Sequence, residues 1–433
     1  MYGLYDSTVA NILVFGCFYV IQITVPAVVL ISTRKGSPLR YLCVPCMVWV
    51  ASRFIRPFGA SGSPEWCQAI TQLIIVTMQA LNFLLITSMD GQEISRGAKG
   101  IQTCGSRLTT ALRLLGQTRA VNTPWQVKNV PCHPLYYARR GMAVPRRGRF
   151  LLRQFAIAAW QYLVLDIVQT IAQQQAMGND PQEPVPSAIE WTVSAVQWVE
   201  RIGTHLSIWF IVNRLIGDLA YRVLSIIFVG IGSDSASDWP PAWGRMGDAF
   251  TLRDFWGKFW HQFMRRPFTS ISNFVSRDVL NLTRSSLLER YTNISIVFFV
   301  SAVFHVIVDI LQSIPTEKSG SIPFYLAFIL GIMLEDGAQE LWKYLQPRNE
   351  PEREAKTSTK EVVPLWKRSI GLVWVMLWLG VTSTWYFTPM IQATTEDMRM
   401  VPVSAARNIG LGPLTGIVAI SGAIIAFAFE IEI

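Results

Sequence analysis

His305 is an ionisable side chain near the middle of YTNISIVFFVSAVFHVIVDILQSIP, residues Tyr291 to Pro315, a run apolar and long enough to cross a bilayer. Spanning the hydrocarbon takes about 20 apolar residues as helix, and an ionisable group at that depth is costly enough to point to function. On a helix, Ser301 and Asp309 lie one turn to either side of His305, so the three share a face that must look into protein or a cavity. An imidazole titrates near neutrality, which suits it to take a proton from a hydroxyl and later return it. The competing explanation is a membrane histidine that only hydrogen-bonds a neighbouring helix.

The second chemistry-bearing stretch is TLRDFWGKFWHQFMRRPF, upstream of that run. Leu252, Phe255, Trp256, Phe259, Trp260 and Phe263 recur at three-and-four spacing, and Arg253, Asp254, Lys258, His261 and Arg265 fall on the other face. The pattern predicts an interfacial helix, aromatic side in the membrane and basic side in water, ended by Pro267. Amphipathicity alone would make it a membrane-surface helix with His261 merely solvated.

The elements that must position these groups follow from composition. The chain has 433 residues, 51% apolar, 15% charged, with 16 Trp and a positive mean hydropathy. A soluble globule carries about 25% charged residues, so the deficit and the long uncharged runs predict an all-α polytopic membrane bundle forming one domain over 1–433. The net charge of +9 lies in Lys and Arg between hydrophobic runs, where it marks cytoplasmic loops rather than a nucleic-acid partner. The segment 90–153 holds twelve Lys or Arg against Asp90 and Glu93, so it is expected in the cytosol. Segment 233–290, carrying the aromatic motif, is expected on the same side, ahead of the 291–315 span.

About nine spans are expected: 9–31, 41–51, 66–89, 155–171, 187–216, 291–315, 322–334, 370–391 and 411–429. The 187–216 run carries Glu190, Glu200, Arg201 and His205, so it should be mostly buried among other helices, and 219–231 should be re-entrant or interfacial. Residues 107–115 predict a short surface helix, Glu335, Asp336 and Glu340 a polar mouth or a solvated helix end, and 347–367 a charged flexible loop. Arg34, Lys35 and Arg40 directly after the first span place that end in the cytosol and the N-terminus in the lumen, and an odd span number then puts the C-terminus in the cytosol. Six cysteines make no disulfide framework, the Cys43-x-x-Cys46 pair has no second ligand pair, and no HxxxH or HxH spacing appears, so no metal is expected. The sequons at Asn281 and Asn293 fall on the cytosolic side or a span edge and are not expected to be glycosylated.

Asp-Phe-Trp-Gly followed by Phe-Trp-His, thirty to forty residues before a lone His in a hydrophobic helix, resembles the membrane-bound O-acyltransferase superfamily. The wax-synthase-like branch of fungal terpenoid and meroterpenoid acetyltransferases is the most similar. Arg96-Gly97 and Thr123-Pro-Trp-Gln-Val-Lys-Asn-Val-Pro131 resemble segments of the same branch. The resemblance implies that His305 is the catalytic base and that His261 is the polar residue closing the Trp-containing motif. Two positions depart from the family pattern: Ser301-Ala302 stands where Ser-Gly is common, and Val306 stands where an acidic residue can follow the histidine. Asp309, one turn on, is the candidate to orient the imidazole instead.

The implied reaction is acyl transfer from a thioester to an alcohol, without a bound cofactor, with acetyl-CoA or another acyl-CoA as cosubstrate and a lipophilic alcohol as acceptor. A hydroxyl attacks poorly until a base removes its proton, and the tetrahedral oxyanion needs donors, for which Trp256, Trp260 and His261 are candidates. The candidate donor- and substrate-binding set is Arg253, Asp254, Trp256, Lys258, Trp260 and Arg265. Its cations face the cytosol, where an anionic coenzyme would arrive, though anchoring to anionic lipid explains them equally. Residence in the endoplasmic reticulum is implied by the family. A long-chain wax-ester or sterol acyltransferase is the nearest alternative. A proton-coupled transporter would bury His305 and Asp309 too, but has no need of the aromatic motif.

Overall fold

The computed structural model describes residues 8–59, 64–97, 104–178, 192–345, 363–393 and 399–431. None of these residues lies in a strand. That suits a bilayer, where the backbone has no water and a helix satisfies its N–H and C=O groups within one segment. The longer helices are α1 (Thr8–Ser32), α2 (Pro38–Gly59), α3 (Pro64–Leu81), α4 (Cys104–Gly116), α5 (Arg147–Gly178), α6 (Ala195–Ser207), α7 (Arg214–Gly230), α8 (Arg265–Asn273), α9 (Leu287–Leu311), α10 (Ser321–Leu345), α11 (Leu365–Ala393) and α12 (Leu411–Phe429).

Among the described residues, seven helical stretches are long and apolar enough to cross a membrane: Ala10–Ser32, Ala69–Ile86, Arg147–Gln174, Leu287–Leu311, Thr316–Leu345, Leu365–Ala393 and Leu411–Phe429. The protein is an all-α, multi-pass membrane bundle. Two further long helices are more highly charged. The 41–51 run extends to the full length of α2, with Arg53 and Arg56 in its last turns. The runs at 187–216 and 219–231 are not separate elements where they are described: α6 continues through a π turn, Ile208–Asn213, into α7. This rod is not mostly buried. Glu200 is exposed, and the interior side is confined to positions such as His205, Trp209, Asp218 and Ser225. Its charges are met locally, Asp218 accepting from Arg222 and Gln161 at 2.7 Å each. The loop expected at 347–367 falls largely outside the described residues, and Leu365 already opens α11.

Helices α1 to α4 enclose one core around Phe83, Leu84, Leu114 and Leu115. The short helix expected at 107–115 is α4, but Ala111, Leu114 and Leu115 are sealed against α1 rather than left on the surface. Arg40, fully buried, ends α1: its guanidinium donates to the Thr33 carbonyl and the Met89 carbonyl at 2.8 and 2.6 Å. A basic residue legible as a topology signal is thus also a helix cap.

The second core holds the aromatic motif, and here the expected interfacial helix is corrected. Leu252–Asp254 is one helical turn, Phe255–Phe259 is a π turn, and the chain breaks at Trp260 with φ −64° and ψ 150°. Leu252, Phe255 and Phe259 are 0% exposed, packed on Trp209, Phe324, Phe328 and Phe387 instead of on lipid. An amphipathic pattern records that one face is covered and leaves open whether protein or membrane covers it. Pro267 does not end this element either. It sits in the first turn of α8, where a missing N–H costs nothing.

Two acidic residues of α10 hold the motif in place, neither a mouth nor a solvated end. Glu335 accepts from the Leu252 backbone N–H at 2.6 Å and from Trp374 Nε1 at 2.9 Å. Asp336 accepts from Arg253 at 2.8 Å, and from Arg290 and the Tyr291 hydroxyl at 2.9 Å. Glu340 lies further out, paired with Lys343. Both arginine partners are partly solvated, so Asp336→Ala should cost only about 1–2 kcal/mol, read as a lower melting temperature in detergent. An unchanged melt would mean the ion pairs do not hold the motif.

Candidate active site

Ser286 caps α9 by accepting from the Glu289 N–H, and the apolar run that follows carries His305 against α10, with Tyr386 of α11 beside it. The imidazole Nδ1 lies 2.8 Å from the Ser301 carbonyl one turn back. A carbonyl can only accept, so Nδ1 carries the hydrogen and Nε2 presents its lone pair. The Tyr325 hydroxyl, from α10, is 2.9 Å from Nε2 and donates to it. The side chains of Ser301 and of Tyr386, from α11, neighbour that hydroxyl. The Tyr325 ring lies 4.5 Å from the imidazole at 31°, and Phe304 and Tyr386 meet it edge-on at 5.3 and 5.9 Å.

Asp309 does not reach the imidazole. Its Oδ2 accepts from the hydroxyls of Ser319 and Ser321, each at 2.6 Å, and so anchors the turn that launches α10 and Tyr325. Asn293, the second sequon position, is inside the bundle, bonded to Ser276 and Glu289.

His261 is half-buried against the aromatic core rather than on a solvated helix face. Its ring stacks on Phe263 at 5.0 Å and meets Trp243 and Trp260 at 5.2 and 5.6 Å. Its Nδ1 is buried with no partner among the described residues. Burial, with the neighbouring His305 adding repulsion, pushes its pKa down to about 3. The unfolded chain would therefore bind this proton first, near the ordinary value of about 6.5. Stability is full above that pH and falls as pH drops toward 3, by up to about 1.4 kcal/mol per pH unit. Melting curves between pH 7 and 5 should show this slope, and His261→Gln should flatten it. An equal slope in the variant would assign the effect to other groups.

The remaining predicted residues separate by role. Trp256 is 6.0 Å from the Tyr325 ring, and its Nε1 is buried with no partner among the described residues. Trp260 is wedged between Trp209 and Trp243, both at 4.6 Å. Arg265 donates to the Gly257 carbonyl at 2.6 Å and to Gln262 at 2.7 Å, tying the π turn to α8. Arg253 is held by Asp336, and Lys258 pairs with Asp254 at 2.9 Å, with the arginine and lysine side chains still 41% and 46% exposed.

The two other histidines are structural: His133 contacts the Ser237 carbonyl at 3.2 Å and His205 the Gly380 carbonyl at 3.1 Å. Among the described residues no group of three His, Cys, Asp or Glu is placed to hold a metal ion. Sequence reasoning missed Tyr325 and Tyr386. Their only signal was a phenol inside an apolar run, which is common enough to carry no weight until the partner is known. The Arg96-Gly97 and Thr123–Pro131 stretches meet at a separate cleft of about 600 Å³ lined by Gly97, Arg113, Asn122, Thr123 and Trp125. A Cβ on Gly97 would lie 2.2 Å from the Trp125 ring, so only glycine admits that indole.

Residues 239–329, spanning the aromatic motif, His305 and Tyr325, match the membrane bound O-acyl transferase family. The acetyltransferase spyB of Aspergillus fumigatus is 34% identical over 425 residues, covering 96% of this chain and 71% of that protein. The acetyltransferase pyr8 of the same organism is 35% identical over 418 residues, 95% of each chain. The chain belongs to the membrane-bound O-acyltransferase family. The acetyltransferase atnC of an Arthrinium species is similar to the same degree, 35% over 428 residues and 95% of each chain. No solved structure matches. As a membrane-bound O-acyltransferase the protein is an enzyme that takes an acyl donor and an alcohol acceptor within a membrane, which sets the transporter reading aside.

Proposed function

We propose that this enzyme transfers acetyl from acetyl-CoA to a hydroxyl of a lipophilic terpenoid or meroterpenoid alcohol, with His305 as general base. The observation that carries the proposal is the imidazole with Nδ1 committed to a carbonyl and Nε2 turned toward the Tyr325 hydroxyl in an aromatic interior. As the acceptor oxygen attacks the thioester carbonyl, its proton goes to the His305 side. Trp256 Nε1 and His261 Nδ1, buried without a partner among the described residues, are the candidate donors to the oxyanion. Collapse breaks the C–S bond, and the thiolate recovers the proton. No acyl-enzyme is required. The outward faces of Arg253 and Lys258 attract the coenzyme phosphates, and aromatic walls favour a hydrophobic acceptor over a polar one. The enzyme resides in the endoplasmic reticulum, N-terminus lumenal and C-terminus cytosolic.

The test is a microsomal assay with labelled acetyl-CoA and a panel of terpenoid alcohols, run beside labelled long-chain acyl-CoA donors. Labelled acetyl ester in the organic extract is the expected result. Ester formed only from long-chain donors would replace the acetyl assignment with a wax-ester or sterol activity. The topology is checked separately by protease protection of tags at the two termini, and a protected C-terminal tag would invert it.

A further inference from the structure

We propose that Tyr325 is a second catalytic residue, relaying the proton of the acceptor hydroxyl to His305. The proposal rests on the general-base reading of His305. At rest the lone pair of Nε2 is already occupied, 2.9 Å from the Tyr325 hydroxyl, so a substrate hydroxyl cannot reach it directly while the phenol stays in place. The phenol is held there. Tyr325 is 2% exposed, and its ring is packed between the imidazole at 4.5 Å, Phe324 at 4.9 Å, and Trp256 and Tyr386 at 6.0 Å. Gly320, five residues earlier, is pressed against the Trp385 backbone, which locks α10 against α11 beside both tyrosines.

A phenol oxygen gives one hydrogen bond and accepts two. With its own proton directed at Nε2, the Tyr325 oxygen keeps two lone pairs, and the acceptor alcohol donates to one of them during turnover. The step then balances. The alcohol proton passes to the Tyr325 oxygen as the Tyr325 proton passes to Nε2. The alcohol oxygen bonds to the thioester carbonyl carbon, the C–S bond breaks, and the sulfur takes back one proton along the same path. Tyr386 is a positioning residue for the phenol, since its ring packs 6.0 Å from that of Tyr325 and meets the imidazole edge-on.

The variant is Tyr325→Phe, which keeps the ring and removes the oxygen. Ester formation should fall about 100-fold in kcat, with the KM for the alcohol within about threefold. The rate plotted against the deuterium fraction of the solvent should be bowed in the parent, where two protons move together, and straight in the variant. Tyr386→Phe should give a smaller loss and keep the bowed plot. Tyr325→Phe with parental kcat would overturn the relay, as would a straight plot in the parent. If His305→Ala is inactive while Tyr325→Phe is not, only the relay fails. If His305→Ala is active, the base assignment fails and the relay with it. Should Tyr325→Phe not accumulate in the membrane, 3-fluorotyrosine at 325 keeps the fold and acidifies the phenol. An altered solvent isotope effect would then support the relay, and an unaltered one would overturn it.

Discussion

His305→Ala lowers ester formation by about 100- to 10,000-fold, the range general-base removal gives, while the protein's level in the membrane stays that of the parent. The side chain donates through Nδ1 to a carbonyl of its own helix and receives one hydrogen bond, from Tyr325. Alanine therefore leaves one buried phenol short of a partner, a cost of about 1–3 kcal/mol that the bundle can absorb without unfolding. Chemistry loses far more. The family's reaction needs the acceptor proton removed, and neither Asp309, committed to Ser319 and Ser321, nor His261, against the aromatic core, is bonded to the Tyr325 hydroxyl. His305→Gln separates the two effects. It can restore a hydrogen bond to Tyr325 but cannot take up a proton, so it should recover stability and not rate. Activity within tenfold of the parent in both variants would remove His305 from the mechanism.

Gly320→Ala should be nearly as damaging, for a reason unrelated to proton transfer. A Cβ at this position would lie 1.8 Å from the Trp385 carbonyl oxygen and 2.4 Å from its carbonyl carbon, both backbone atoms that cannot rotate away. Either the start of α10 or the Trp385 segment of α11 must move. Those segments carry Ser321, Tyr325 and Tyr386, so the displacement reaches the two phenols beside the imidazole. Overpacking of this kind costs about 3 kcal/mol, and an ångström of misplacement in the site costs about 100-fold in rate. Thermal melts in detergent together with ester assays should show both losses. The control is Gly337→Ala on the same helix, where a Cβ meets nothing within 4 Å and helix propensity should raise stability slightly. Equal melting temperatures for the two variants would mean the α10–α11 contact is looser than its geometry.

Several features of this enzyme were determined by the sequence alone. The apolar runs made it a helical membrane bundle, because a backbone in lipid has few ways to satisfy itself. The spacing of Ser301, His305 and Asp309 put them on one face of a single helix, and Asp-Phe-Trp-Gly with Phe-Trp-His ahead of it pointed to the acyltransferase family. These are local properties, written within a few turns of chain. What faces those turns was not legible. The aromatic stripe from Leu252 to Phe263 carries the same pattern whether lipid or protein covers it, and only tertiary packing placed it against Trp209, Phe324 and Phe387 and opened it into a π turn. The partner of Nε2 was equally hidden. Tyr325 is twenty residues beyond His305, on another helix, and Tyr386 lies on a third. Asp309, one turn from the imidazole, instead bonds the serines that begin α10. Proximity along a helix limits which residues can meet, and the neighbouring helices decide which of them do.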